Sequence, residues 1–218
     1  MADNPYNIVV PFLVLVALGL MPLFVVTMTS FLKIAVVMFL VRNALGIQQT
    51  PPNLVLYAIA LLLTVYVSAP VLSDIHGRLN SAPVDINSVA GIQEAGARIR
   101  EPIKTHLTRF SHPDERRFFL AATERIWPES ARAELKEDDI LILLPAFVSS
   151  ELTRAFEIGF LLYLPFLVID LIVANILMAM GMIMVAPTLI SIPLKLFLFV
   201  TIDGWSRLLH GLILSYGI

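Results

Sequence analysis

Cysteine is absent from the 218 residues. The chain therefore has no disulfide framework, no thiolate zinc site and no cysteine-held iron–sulfur cluster. Charge is scarce. Asp, Glu, Lys and Arg make up 15% of the sequence, against about a quarter in soluble domains. Neither sign dominates, and a net charge of −2 leaves no electrostatic footprint for nucleic acid. Also missing are a G-x-S-x-G elbow, a Walker loop, a G-x-G-x-x-G turn and an H-E-x-x-H pair. The expectation is that the chain is not an enzyme and carries no cofactor or metal. Apolar residues are abundant, at 58%, which excludes the low-hydrophobicity, high-charge composition of disordered chains.

The few charges are clustered. Residues 73–139 hold 12 of the 17 acidic and 10 of the 15 basic residues. Two very apolar blocks thus flank a polar insert. Residues 8–32 form an uncharged run of 25, and residues 54–72 one of 19. A membrane-spanning helix needs about 20. Between them, RNALGIQQTPPN at 42–53 reads as a turn, with Gly46 ending one helix and Pro51-Pro52 opening the next. Pro22 predicts a bend or break inside the first run. With Asp3 the only charge ahead of that run, the start does not read as a cleavable signal peptide.

In the second block, residues 171–194 form an uncharged run of 24 holding Gly181, Pro187 and Pro193. A bend is expected near 186–193. Hydropathy gives four candidate spans. Lys33, Arg42 and Lys195 near the two bends favour placing both bends in the cytoplasm. The domain reading is an N-terminal hydrophobic hairpin at 1–72, a polar helical insert at 73–139 and a C-terminal hydrophobic hairpin at 140–218. In the insert, Ser88 is a candidate cap for a helix with Ile92, Ile99, Ile103, Leu107 and Phe110 roughly on one face. SHPDE at 111–115 is a second helix start, and Trp127-Pro128 ends that helix. The fold class is all-α and membrane-associated: two long proline-broken hydrophobic hairpins around a small helical insert.

The histidines, His76, His106, His112 and His210, have no paired-ligand spacing and read as surface or packing residues. Charges inside the apolar blocks are costly unless paired. Glu151, Arg154 and Glu157 at i, i+3, i+6 place Arg154 within reach of both carboxylates. They form either a self-neutralised triad or a subunit contact. Asp170 stands 25 positions before Lys195 and is a partner for it or for Lys33. A proton-relay role for Asp170 is the alternative. Met178, Met180, Met182 and Met184, half of the chain's 8 methionines, alternate around Gly181. Period two is not a helix face. Two readings stay open for them, greasy core filler and a pliable apolar constriction.

Four segments carry a resemblance: TSFLKIAVVMFLVRNALGIQQTPPN (29–53), LLPAFVSSELTRAFEIGFLLYLPFLVIDL (143–171), MAMGMIMVAP (178–187) and IPLKLFLFVTIDGW (192–205). They resemble the R subunit of the type III secretion export apparatus, the SctR/FliP family. Without an added leader, and with Gln48-Gln49 in the first bend, the chain looks more like the injectisome branch than the flagellar one. The resemblance implies a core pore-forming subunit of an export gate, passing unfolded proteins across the bacterial inner membrane. It implies a homo-oligomer of five copies packed helically with S and T subunits, displaced toward the periplasm. It also implies that Met178, Met180, Met182 and Met184 form a gasket, with Ile183 standing where several relatives carry methionine. The insert matches only in place and size. A proton- or ion-coupled transporter and a non-conducting assembly scaffold are the competing classes.

Overall fold

The structure, a computed structural model, describes residues 9–81, 89–132 and 135–217. Two expectations, Asp3 ahead of the first run and the Ser88 cap, lie outside them. Every regular element among the described residues is helical. In chain order these are α1 (Val9–Met28), α2 (Phe31–Ala44), α3 (Asn53–Asn80), α4 (Val89–Phe110), α5 (Pro113–Ile126), α6 (Glu129–Arg132), α7 (Ile140–Ala179), α8 (Thr188–Thr201) and α9 (Gly204–Leu214).

By length and composition α3 and α7 are each able to cross a membrane. Two further pairs, α1 with α2 and α8 with α9, meet the same test only when each bent pair counts as one span. The break in the first run differs from expectation. Helix α1 continues through Pro22, and the chain breaks at Thr29-Ser30 instead. Proline removes one N–H, a loss that long apolar helices tolerate. At the break, Thr27 Oγ1 and Thr29 Oγ1 donate to the carbonyls of Leu23 and Val25. Hydroxyl groups bonded back to the i−4 carbonyl compete with the helix ladder and bend it.

The chain divides into two compact units. One comprises Met1–Ser30 and Ser68–Glu151, the other Phe31–Val67 and Leu152–Ile218. In the first, Leu107, Leu143 and Phe147 are fully buried, with Met28, Ile103, Phe110 and Val148 packed around them. Helix α5 starts as its sequence predicts. His112 is the N-cap, its ring accepts from the Asp114 N–H, and Pro113 occupies the first turn, where its missing N–H costs nothing. The His112 N–H donates to Ser150 Oγ at 2.8 Å, and that hydroxyl donates to Ala146 O at 2.6 Å. Ser150 thereby fixes the start of α5 against α7. Lys104–Asp138 and Arg100–Asp139 ion pairs link α4 to the loop before α7.

The second unit is built around α2. Ile34, Val37 and Met38 are fully buried, and Ala35, Val41 and Ala44 nearly so. Helix α2 ends at Gly46, whose φ of +78° is the left-handed conformation that glycine adopts without a Cβ penalty. Arg42 holds the turn that follows. Its Nη1 donates to Asn53 Oδ1 at 2.6 Å and Pro51 O at 3.2 Å, and the guanidinium lies 4.9 Å from the Phe39 ring centroid. Helix α7 approaches α2 closely, because a Cβ on Gly159 would stand 2.3 Å from Leu40 Cδ1.

Candidate functional site: the methionine loop and its base

Helix α7 ends in a Schellman motif. Gly181 has a φ of +73°. Its N–H donates to Met178 O at 3.0 Å, and the Met182 N–H donates to Leu177 O at 2.9 Å. These two bonds satisfy carbonyls that the helix end leaves open. The pattern explains the period-two spacing of the methionines. Met178 is the last-turn residue, while Met182 and Met184 lie beyond the cap, so the four side chains share no helix face.

None of the four is buried within the chain. Met178 is 60% exposed, Met180 68%, Met182 40% and Met184 100%, with Ile183 at 85%. Five consecutive or alternating apolar side chains on one loop, held open by a capped turn, form an apolar patch of the kind that marks an interaction site. Thioether side chains are unbranched and adaptable, so such a patch accommodates partners of irregular shape.

About two helical turns below this loop, the α7–α8 hairpin is pinned by a charge. Lys195 Nζ lies 2.5 Å from Asp170 Oδ2 and 3.0 Å from Ala44 O. The lysine is 5% exposed and the aspartate 35%. One ammonium thus joins α7, α8 and the C-terminal carbonyl of α2, where cations are favoured by the helix dipole. Lys33 has a different neighbour: its Nζ stands 3.5 Å from the Tyr216 ring centroid, and the residue is 1% exposed. Glu151 is fully buried, Arg154 half-buried and Glu157 exposed. The structure therefore brings Asp170 and Lys195 together and gives Lys33 an aromatic face.

In the insert, burial among apolar side chains and, secondarily, the Arg109 charge lower the His106 pKa to about 4. Its ring sits 5.1 Å from Phe110 and 5.9 Å from Phe147, so it is a neutral packing residue. Among the described residues no group of three His, Cys, Asp or Glu is placed to hold a metal ion. The cation–aromatic contact of Lys33 and the close approach at Gly159 gave no sequence signal beyond a charge and a glycine in apolar runs.

Long apolar helices, broken pairs and an exposed apolar loop define a helical membrane protein. The chain belongs to the FliP family, whose model matches residues 14–212. It is 59% identical over 92% of its length to 90% of the probable translocation protein y4yL of Sinorhizobium fredii. It is 49% identical to the Yop proteins translocation protein R of Yersinia pestis, with 94% of each chain covered. The harpin secretion protein HrcR of Erwinia amylovora is 44% identical, with 92% of each chain covered. These relatives set the chain on the injectisome side of the family. The family and the apolar helices together make it an inner-membrane protein.

Proposed function

We propose that this chain is a core pore-forming subunit of a type III export gate, passing unfolded proteins across the bacterial inner membrane. The observation that carries this reading is the exposed methionine loop on its capped turn, at the end of a hairpin that Asp170 and Lys195 hold together. Met178, Met180, Met182 and Met184 act as a gasket: in a ring of copies they close a channel and deform around a passing chain. The chain performs no catalysis and binds no cofactor.

Five copies assemble with S and T subunits, the assembly lies toward the periplasmic side, and both hairpin bends lie on the cytoplasmic side. The insert at 73–139 separates the hairpins at 1–72 and 140–218. In that assembly Arg154 and Glu157 contribute subunit contacts, while Glu151 stays buried inside its own chain. Much of the exposed apolar surface of α3 and α7 then faces other subunits, which suits broken spans better than lipid alone does.

The test replaces Met180, Met182 and Met184 together by serine in the assembled complex. A gate leaks small solutes and alters secretion of substrates, with the complex still formed. An ion-coupled transporter responds at Asp170 and tolerates the serines, and a scaffold changes only when assembly fails. Either of the latter results overturns the proposal.

A further inference from the structure

A second apolar feature lies away from the methionine loop. Helices α2, α7, α8 and α9 line a partly open cavity of about 510 Å³, within the range of about 300–1,000 Å³ typical of small-molecule sites. Its walls include Val41, Leu162, Phe166, Phe199 and Leu212. The wall is aromatic and closely packed on one side. Phe199 lies 6.1 Å from Phe166 and 5.4 Å from Trp205, and Gly204 lets the Phe199 ring approach to a distance a Cβ would not allow. On the other side there is room: a Cβ added at Gly211, which also lines the cavity, meets nothing within 4 Å.

One charge borders this space. Arg207 lines the cavity, is exposed, and has no ion-pair partner among the described residues. Asp203, one turn earlier, caps α9 with its backbone and makes no salt bridge to it. No acidic residue is in the lining, and the Ser215 hydroxyl already donates to Leu212 O at 2.7 Å. An apolar slot with a single guanidinium at its edge that makes no ion pair is complementary to an amphiphile with an apolar chain and an anionic head. Guanidinium groups bind phosphate oxygens through two parallel N–H donors. No carboxylate lines the cavity to receive the cationic group of a zwitterionic head; Asp203, one turn before Arg207, lies outside the lining.

We propose that this cavity is a binding site for an anionic phospholipid, an acyl chain filling the space between α7 and α9 and the phosphate resting on Arg207. Trp205, in contact with the Phe199 wall, reports on it directly. In a Trp127→Phe background it is the remaining tryptophan of the chain's two. The full-length protein is reconstituted into phosphatidylcholine vesicles containing increasing fractions of phosphatidylglycerol brominated in its acyl chains. Parallel vesicles carry brominated phosphatidylcholine. Trp205 fluorescence is expected to be half-quenched at a phosphatidylglycerol fraction at least tenfold below the phosphatidylcholine one. Arg207→Gln is expected to abolish that preference and Arg207→Lys to retain most of it. Gly211→Leu, which fills the slot, is expected to remove quenching by both lipids, with folding checked by its melting temperature. Should Gly211→Leu fail to fold, the lipid preference and the Arg207 pair decide alone. Equal quenching by both lipids, or a preference that survives Arg207→Gln, overturns the proposal in favour of ordinary boundary lipid. No quenching by either lipid overturns it in favour of a second protein chain seated in the cavity.

Discussion

Lys195 Nζ reaches both Asp170 Oδ2 and the Ala44 carbonyl oxygen, at 2.5 and 3.0 Å, across 25 and 151 residues of chain. A single ammonium closes the α7–α8 hairpin and ties it to the end of α2. The two partners are unequally buried, so removing them is not equivalent. Asp170→Ala leaves a nearly fully buried ammonium without its counter-ion, and breaking a buried pair in this way costs about 3–5 kcal/mol. Lys195→Met leaves a carboxylate that is one-third exposed, and the loss is smaller. Thermal melting of the purified protein is expected to rank Asp170→Ala well below Lys195→Met. The double variant Asp170→Asn/Lys195→Met is expected to recover part of the loss. Equal losses for the two single variants would show that the pair is solvated.

The turn that presents the methionines depends on Gly181. At a φ of +73° an L-residue pays about 1–2 kcal/mol, and asparagine less. Gly181→Val is expected to loosen the loop and raise small-solute leakage through the assembled complex, while Gly181→Asn stays close to wild type. A dye-efflux measurement on both variants checks this order.

His106 makes the insert sensitive to acid. Its pKa is about 4 in the folded state and about 6.5 when unfolded, so both states are neutral above pH 6.5. Between pH 6.5 and 4 the unfolded chain binds the extra proton, and stability falls with pH by about 1.4 kcal/mol per unit. The loss is complete below pH 4, at about 3 kcal/mol. Phe110 and Phe147 pack on this ring, apolar residues of α1 and α3 such as Met28 and Val71 line the same space, and the charge acting on it is the Arg109 cation, so no carboxylate offsets the added proton. Melting temperature between pH 7 and 5 is expected to fall in the wild type and to fall less in His106→Leu.

Gly159 and Leu40 set how closely α7 approaches α2. A Cβ at 159 would come within 2.3 Å of Leu40 Cδ1 and 3.1 Å of its Cβ, so Gly159→Ala overpacks the contact by about 1–3 kcal/mol. Adding Leu40→Ala is expected to restore part of the stability despite removing apolar volume. Non-additive melting temperatures in that pair check the contact. Purely additive losses would refute it.

The amino-acid sequence determined the all-helical class, because uncharged runs of 19 to 25 residues admit nothing else in a bilayer. It determined the turn at 42–53, through Gly46 and the proline pair, and the start of α5, through Ser111-His112-Pro113. It also picked out the methionines, since four at alternate positions fit no helix face. Where the first run breaks was decided by the tertiary structure, since Pro22 sits inside an intact α1 and the break falls at Thr29-Ser30. The choice of Lys195 over Lys33 as the partner of Asp170 was decided there too. Both lysines are charges in apolar runs, and only packing puts one beside Asp170 and the other over the Tyr216 ring. Arg207 at the mouth of an apolar cavity belongs to the same kind, because its surroundings come from four helices distant in sequence. Composition and spacing act locally along the chain, whereas partners and cavities arise only when distant segments meet.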